Sequence, residues 1–168
     1  TVDLVAETSR LYPELRVRGI EPTLLRLEVT EGALLDNPDQ IRRVLQRLRD
    51  AGVLSQLDDF GTGYSSLSYL HKFPIQSLKI DRSFVADLRP GEAGGSAAVV
   101  RAIVTLAGAL GLEVIAEGIE TLEQRDALVE LGCSLGQGFL YAYPRPADEV
   151  LLQPALGLGL GPATPGQA

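Results

Sequence analysis

The amino-acid sequence predicts an α/β fold built on a parallel sheet. Short apolar runs that are typical of strands alternate at least four times with amphipathic runs that are typical of helices. The connections between these runs are short, and no turn of the hairpin type joins two strands. Because parallel strands need crossover connections, this alternation indicates a parallel sheet covered by helices.

Five short runs predict the strands. Most of them alternate apolar and polar residues, and each is bounded by turn residues such as Gly, Pro, Asn or Asp. In chain order, the predicted strands cover residues 24–30, 53–58, 77–81, 113–117 and 135–141.

Capping and stop signals predict the first helices. A loose helical pattern over residues 2–12 is interrupted by Pro13. Asn37 and Pro38 begin a helix well, because Asn caps free amides and Pro tolerates the first helical position. Gly52 supplies a left-handed stop for this helix. Its buried stripe is Ile41, Val44, Leu45 and Leu48.

Two more helices are predicted in the middle of the chain. Residues 65–72 form a short one that Pro74 ends. Ser96 closes a glycine-rich loop and is the expected cap of a long helix, which Gly111 stops. The apolar positions of that long helix are Val99, Ile103, Leu106 and Leu110.

The last part of the chain predicts two helices and a tail. Thr121 and Gln124 form a capping box for a helix through Leu131, and a short helix follows Pro146. Residues 153–168 consist mainly of Gly, Pro, Ala and Leu without a charge, a composition that predicts a disordered tail or linker.

Length and composition fit one globular domain. With 168 residues, of which 45% are hydrophobic and 22% charged, the chain can bury one sizeable core. The formal net charge of -7 argues against a surface that coats DNA or RNA, because such a surface needs a basic field. An anionic substrate would therefore need a metal ion or a few placed cations.

Several common chemistries find no support in the sequence. The single cysteine, Cys133, permits no internal disulfide and is expected to be a packing residue. The single histidine, His71, is expected on the surface, since no second His or Cys completes a zinc set. With no apolar run of about 18 residues and no leader, this segment is expected to make no membrane contact and to be cytoplasmic. A first residue Thr1 indicates that the sequence was cut from something longer.

Charged or polar side chains recur near the ends of the predicted strands. The five residues are Glu28, Asp58, Lys79, Glu117 and Gln137. In a barrel of βα units the carboxyl ends of the strands meet in one cup, so these side chains are expected to converge. Asp59 lies directly beside Asp58, and neighbouring carboxylates repel unless a cation such as Mg²⁺ or Mn²⁺ compensates. The set resembles a two-metal hydrolase site.

The charged residues also have ordinary structural interpretations, which for Glu28 is an acid that approaches a helix. Asp58 and Asp59 are compatible with a solvated acidic turn, and Lys79 with a surface lysine whose stem packs on apolar neighbours. Glu117 is compatible with a loop acid before Gly118. Their joint occurrence at equivalent points of consecutive βα units favours a functional site.

The same residues carry a family resemblance. The ordered motifs are LEVTE at residues 27–31, DDFGTGYSS at 58–66, LKID at 78–81, AEGIET at 116–121, and GC to QG at 132–138. Together they closely resemble EAL domains, bacterial phosphodiesterases that hydrolyse cyclic di-GMP. Five motifs in order, over about residues 20–150, make the signal specific.

The resemblance implies a TIM barrel, a set of site residues and two Mg²⁺ or Mn²⁺ ions. Lys79 would position the nucleophilic water, and Gln137 would order water or substrate. Glu31 would brace the loop of residues 59–66, which in the family contributes to dimer contacts, and Glu120 would support the loop around Glu117. The metal ligands would be Glu28, Asp58 and Asp59, with Glu117 as a further ligand or as the base.

The chain also departs from the family pattern. The Glu-Ala-Leu strand that names the family, and the next strand with its Asn ligand, are absent from the sequence and are expected upstream of Thr1. Five predicted strands stand against the eight of a closed barrel of about 250 residues. Residues 1–152 are thus interpreted as an incomplete EAL domain and 153–168 as the tail. Ser55 and Gln56, where the family is usually apolar, are expected to loosen core packing.

Three functional hypotheses follow. The first is hydrolysis of cyclic di-GMP to linear pGpG, with a homodimer and an upstream sensory or diguanylate-cyclase-like domain as partners. The second is a binding module that senses cyclic di-GMP or a protein without cleaving it. The missing ligands favour this module, whereas the retained acids, Lys79 and Gln137 favour catalysis. The third is an inert fragment stabilised by dimerisation through an exposed sheet edge.

Overall fold

The computed structural model describes residues 13–62 and 70–150. Within them, five strands form one parallel sheet in the order β1-β2-β3-β4-β5, so the predicted parallel α/β architecture is confirmed. The strands are β1 Arg26–Thr30, β2 Leu54–Phe60, β3 Ser77–Ile80, β4 Glu113–Ala116 and β5 Leu135–Gly136.

Helices and a 3-10 turn connect the strands. Residues 13–17 are helical, and the 3-10 turn Pro22–Leu24 leads into β1. The helices that follow are α1 Glu31–Asp36, α2 Pro38–Asp50, α3 Arg82–Val85, α4 Gly95–Leu110, α5 Leu122–Glu130 and α6 Ala147–Val150. Among the helices of the described ranges, none has the length and apolar character needed to span a bilayer.

The capping signals in the sequence identified α2 and α5 correctly. The side chain of Asn37 accepts a hydrogen bond from the amide of Gln40, and Gly52 adopts a φ of 87° that favours glycine. In α5, the amide of Gln124 donates to Thr121 Oγ1 at 3.3 Å while Gln124 Oε1 accepts from the amide of Thr121 at 3.0 Å. Both halves of the predicted capping box are therefore present.

Other predicted boundaries were wrong. Helix α4 begins at Gly95 with Gly94 as its N-cap, so Ser96 lies inside the helix instead of capping it. Pro13 is the first described residue of the helical segment 13–17, so its predicted effect on residues 2–12 lies outside the described residues. The short helices α1 and α3 were not predicted, because neither is long enough to show a helical period.

The predicted strand ends also differ from the observed ones. Strand β2 continues through Asp59 to Phe60, two residues beyond its predicted end. The predicted strand of residues 135–141 shortens to Leu135–Gly136, after which the chain turns. The predicted helices 2–12 and 65–72 lie wholly or mostly outside the described residues, and the predicted tail 153–168 lies entirely outside them.

Strand alternation gives the sheet an apolar face and a polar face. Helix α2 packs against β2, and α4 packs against β3 and β4. The buried residues of the apolar face are Val29, Leu57, Leu78, Ile80, Val114 and Ala116. Among the described strands, β1 and β5 each pair with one neighbour, so both edges of the sheet are open within the described ranges.

Candidate functional site

Lys79 on β3 is the centre of the polar face. Its side chain is 4% exposed, and its ammonium group contacts acids from three other parts of the sheet. Nζ lies 2.6 Å from Glu28 Oε1 on β1 and 3.0 Å from Asp58 Oδ1 on β2. It also lies 2.5 Å from Oε1 of Glu117, the residue that follows β4. A buried lysine with these contacts is not the surface lysine of the alternative interpretation.

The cluster holds more acids than cations, and this excess of negative charge affects the pKa values of its groups. Burial alone would lower the pKa of Lys79, but its hydrogen bonds with Glu117, Glu28 and Asp58 outweigh burial and raise it. Burial raises the pKa of Glu117, and the negative charges of Asp58 and Glu28 act in the same direction against the opposing effect of Lys79. The excess of negative charge would be relieved by a bound cation.

A bulge in β2 brings the two adjacent aspartates together. The register between β2 and β3 shifts between Leu57 and Phe60, and Asp59 has a φ of 54°. Neighbouring residues of a regular strand point to opposite faces, so a bulge is needed to aim both carboxylates at one place. Carboxylate oxygens of Asp58, Asp59 and Glu117 all lie within 4.8 Å of one another.

This acidic cluster fits a hard divalent cation. Carboxylate oxygens are the ligands that Mg²⁺ and Mn²⁺ prefer. Asp58 and Glu117 are half-buried and Asp59 is exposed, so the cluster opens toward solvent on one side. Glu28 joins it through the ammonium group of Lys79.

Gln137 joins the cluster from the end of β5. Its Nε2 donates to Glu117 Oε1 at 2.7 Å, the oxygen that also contacts Lys79. Two backbone hydrogen bonds hold this segment, from the amide of Gln137 to Ala116 and from the amide of Ile119 to Gln137. A Cβ on the next residue, Gly138, would lie 2.2 Å from the backbone oxygen of Ile119, so only glycine allows this close approach.

The two predicted support residues, Glu31 and Glu120, lie in the segments that follow β1 and β4. Glu31 is the first residue of α1, and most of the loop that it was expected to brace lies outside the described residues. The amide of Glu120 donates to Gln124 Oε1 at 2.7 Å, while the residue itself is exposed. Their supporting roles stay predictions.

A cavity of 590 Å³ lies beside the cluster. Asp81 and Arg82 contribute to its wall, although the sequence analysis assigned neither of them to the site. Asp81 follows β3 directly, so the strand-end criterion that identified the other acids would have found it. The hydrogen bond from Ser83 lowers the pKa of Asp81. The predicted site residues that line the cavity are Asp59, Glu117, Glu120 and Gln137.

Gln56 is a further residue whose place in the site the sequence did not predict. Ser55 and Gln56 were expected to loosen the core, yet both are buried, at 2% and 7% exposed. Gln56 Nε2 donates to Glu28 Oε1 at 3.0 Å, so this side chain belongs to the polar network of the site.

The surroundings of His71 and Cys133 agree with the sequence-based predictions. His71 is exposed, as predicted. Cys133 is buried at 2% exposed, with its Sγ 3.3 Å from the backbone oxygen of Leu135, which agrees with a packing role.

The fold and the cluster define an α/β protein of the barrel type, with an acidic site where its parallel strands end. The family model of the EAL domain matches residues 7–144, and the chain belongs to this family.

Known proteins that resemble the chain include a cyclic di-GMP phosphodiesterase and two solved complexes with cyclic di-GMP. Cyclic di-GMP phosphodiesterase NbdA of Pseudomonas aeruginosa is 46% identical over 132 residues, which are 79% of this chain and 17% of NbdA. This chain thus spans less than a fifth of that relative's length.

Solved structures agree with this relationship. The PaMucR phosphodiesterase in complex with c-di-GMP matches with a TM-score of 0.75 and 44% identity, over 81% of this chain and 54% of that one. The BlrP1 protein of Klebsiella pneumoniae, in a manganese and cyclic di-GMP complex, matches with a TM-score of 0.72 and 40% identity. That match covers 80% of this chain and 34% of BlrP1. The open five-stranded sheet is consistent with part of such a barrel.

Proposed function

We propose that this EAL domain serves the hydrolysis of cyclic di-GMP to linear pGpG, a reaction that breaks one 3′-5′ phosphodiester bond. The observation that carries the proposal is the triple contact of buried Lys79 with Glu28, Asp58 and Glu117. A lysine held among acids from separate strands is an arrangement suited to chemistry on a phosphate group. The function of the NbdA relative and the ligand in the PaMucR complex support this substrate.

Two Mg²⁺ or Mn²⁺ ions are the proposed cofactors. When bound, they would polarise the phosphoryl oxygens and increase the acidity of a water molecule. The proposed ligands are Glu28, Asp58 and Asp59, with Glu117 as a further ligand or as the base. The 4.8 Å grouping of carboxylate oxygens and the manganese complex of BlrP1 support a divalent metal.

The protein side chains have separate proposed tasks. Lys79 holds the acids of three strands in place and positions the attacking water, because its ammonium group lies among all of them. Gln137 orients Glu117 through the 2.7 Å hydrogen bond and orders water or substrate in the neighbouring cavity. Glu31 and Glu120 are proposed supports of the loops beside the site.

We place the activity in the cytoplasm, in a homodimer whose protein also carries a sensory or diguanylate-cyclase-like domain. A further relative, the bifunctional diguanylate cyclase/cyclic di-GMP phosphodiesterase MucR of Pseudomonas aeruginosa, is 45% identical over 133 residues and supports such a combination.

Product analysis with matched variants tests the function. The complete protein is incubated with cyclic di-GMP, with and without Mg²⁺ or Mn²⁺, and pGpG is separated by chromatography. We expect pGpG only with the metal. In Asp58→Asn we expect the rate of pGpG formation to fall at least about 100-fold, because a metal ligand is lost and the metal no longer stabilises the charge that develops on the phosphate. Asp36→Asn, which changes an exposed acid at the end of α1, serves as the control.

The outcomes separate the hypotheses. Full turnover by Asp58→Asn, or turnover that chelators leave unchanged, contradicts the proposal. Binding of cyclic di-GMP in calorimetry without any pGpG favours the sensing module instead.

A further inference from the structure

Gln56 lies at the centre of a hydrogen-bonded row that crosses three strands. Its side-chain amide donates from Nε2 to Glu28 Oε1 at 3.0 Å on β1. On β3, the hydroxyl of Ser77 lies 3.3 Å from Gln56 Oε1 and donates to it. Gln56 and Ser77 are both buried, at 7% and 0% exposed, so water does not compete strongly with these bonds.

The strand register creates this row. Glu28 is the partner of Gln56 in the pairing of β1 with β2, and Gln56 is the partner of Ser77 in the pairing of β2 with β3. Residues at one level of neighbouring strands point to the same face, so the three side chains meet beneath the acidic cluster. Asp58 and Lys79 lie two residues further along β2 and β3 than Gln56 and Ser77, so the row is next to the acidic cluster on the same face.

Ser77 determines which way the amide of Gln56 points. A hydroxyl can donate to the amide oxygen, which turns the NH₂ group toward Glu28. The opposite orientation would bring the amide oxygen against the carboxylate and lose the hydrogen bond. Ser77 therefore supports the orientation in which Gln56 acts as a donor.

Gln56 gives Glu28 a hydrogen-bond donor in addition to Lys79. Glu28 Oε1 accepts from Gln56 and from Lys79, but Lys79 is shared with Asp58 and Glu117. The side chain of Glu28 is also 49% exposed, so little packing restricts its rotation. Of the two hydrogen bonds that Glu28 accepts within the described residues, an apolar residue at position 56 would leave the one from the shared lysine.

We propose that Gln56, oriented by Ser77, is a positioning residue that fixes the Glu28 carboxylate for metal binding. The inference rests on the proposed function, in which Glu28 is a metal ligand. Gln56 acts through Glu28 and has no contact with the ion or the substrate in this proposal. Hydrogen bonds that orient a ligand typically change metal affinity about 10- to 100-fold.

Metal affinity in the absence of substrate is the readout. Mn²⁺ is titrated into the complete protein, and free Mn²⁺ is followed by electron paramagnetic resonance. We expect Gln56→Leu to raise the Mn²⁺ Kd about 10-fold. Ser77→Ala should raise it in the same direction but less, because the amide keeps its place and loses only its orienting partner. Thermal unfolding verifies that each variant is folded.

Gln76→Leu is the matched control. Gln76 is a half-buried glutamine whose side chain accepts from the amide of Ser55 at 2.6 Å and donates to the backbone oxygen of Pro74 at 2.8 Å. Its replacement removes a comparable pair of hydrogen bonds from the start of β3 without touching Glu28. We expect lower stability and an unchanged Mn²⁺ Kd.

A double variant completes the test. In a Glu28→Ala background, Gln56→Leu should cause no further loss of affinity, because the carboxylate that it orients is gone. An unchanged Kd in Gln56→Leu, or an equal loss in Gln76→Leu, overturns the positioning role while the proposed function stands. Additive losses in the double variant also overturn it. An unchanged Kd in Glu28→Ala overturns the ligand assignment on which both proposals rest.

Discussion

Lys79 reaches across an entire strand to Glu28. The two residues belong to β3 and β1, with β2 between them, yet Lys79 Nζ lies 2.6 Å from Glu28 Oε1. The same ammonium group contacts Asp58 on the intervening strand. One positive charge therefore connects three consecutive strands on the polar face of the sheet.

Replacement of Lys79 should destabilise the protein. In Lys79→Met the acids lose their cation, and we expect about 2 kcal/mol less stability, below the value for a fully buried pair because Glu28 is half exposed. Urea unfolding measures the change, with Lys72→Met at an exposed lysine as the control. Added Mg²⁺ should restore part of the loss. Equal midpoints for the two variants would refute this explanation.

Gln137→Leu should reduce activity with little effect on stability. The side chain is exposed and donates to Glu117 Oε1, so its loss frees the carboxylate without opening a cavity in the core. We expect kcat to fall about 10- to 100-fold, since hydrogen bonds that orient a metal ligand typically contribute roughly that much, and stability to change by less than about 0.5 kcal/mol. Steady-state pGpG formation and urea unfolding provide the two values. A large drop in stability with unchanged kcat would contradict the prediction.

Gly138→Ala should disrupt the end of β5. The new Cβ would lie 2.2 Å from the backbone oxygen and 2.3 Å from the nitrogen of Ile119, and backbone cannot move aside cheaply. We expect a loss of about 3 kcal/mol. Gly108→Ala is the matched control, because its Cβ meets nothing within 4 Å in α4 and helical Gly to Ala changes gain about 0.5 to 1 kcal/mol. If the urea midpoints of Gly138→Ala and Gly108→Ala shift in the same direction, the clash is refuted.

Cys133 should be unreactive in the native protein. Burial raises the pKa of its thiol above the usual 9.0, so little thiolate is present at about pH 8. The pKa of the thiol is higher in the folded than in the unfolded protein. Its contribution to stability is therefore present below pH 9.0 and is lost as the pH rises above that value. Labelling with a thiol reagent, with and without urea, measures the reactivity. Cys133→Ser identifies the signal of this residue, and rapid native labelling of it would contradict the prediction.

The sequence was most informative where a signal is local. Asn37 and Gly52 predict both ends of α2, and Thr121 with Gln124 predicts the start of α5, because caps depend on residues within one turn. The alternation of strands and helices predicts the parallel sheet, because parallel strands need crossover connections. The strand-end rule also identified the polar residues that meet around Lys79.

Features that depend on distant partners could not be predicted in this way. The β2 bulge depends on the left-handed backbone of Asp59, a conformation that Asp tolerates but that no repeat pattern marks. Gln56 looked like a packing defect because its partner Glu28 is 28 residues away in the sequence. Strand β5 is shorter than its apolar pattern suggests, since the close approach of Gly138 to Ile119 turns the chain.

The long-range contact between Glu28 and Lys79 also bears on synthesis. The two residues are 51 positions apart, so a ribosome adding about 5 to 20 residues per second makes Glu28 several seconds before Lys79 exists. Until Lys79 is made, Glu28, and later Asp58 as well, lack this counter-charge and remain hydrated. The charge cluster can therefore form only after β3 has left the ribosome, and Glu117 and Gln137 arrive later still. Its appearance would report that β1 to β5 have come together in the nascent sheet.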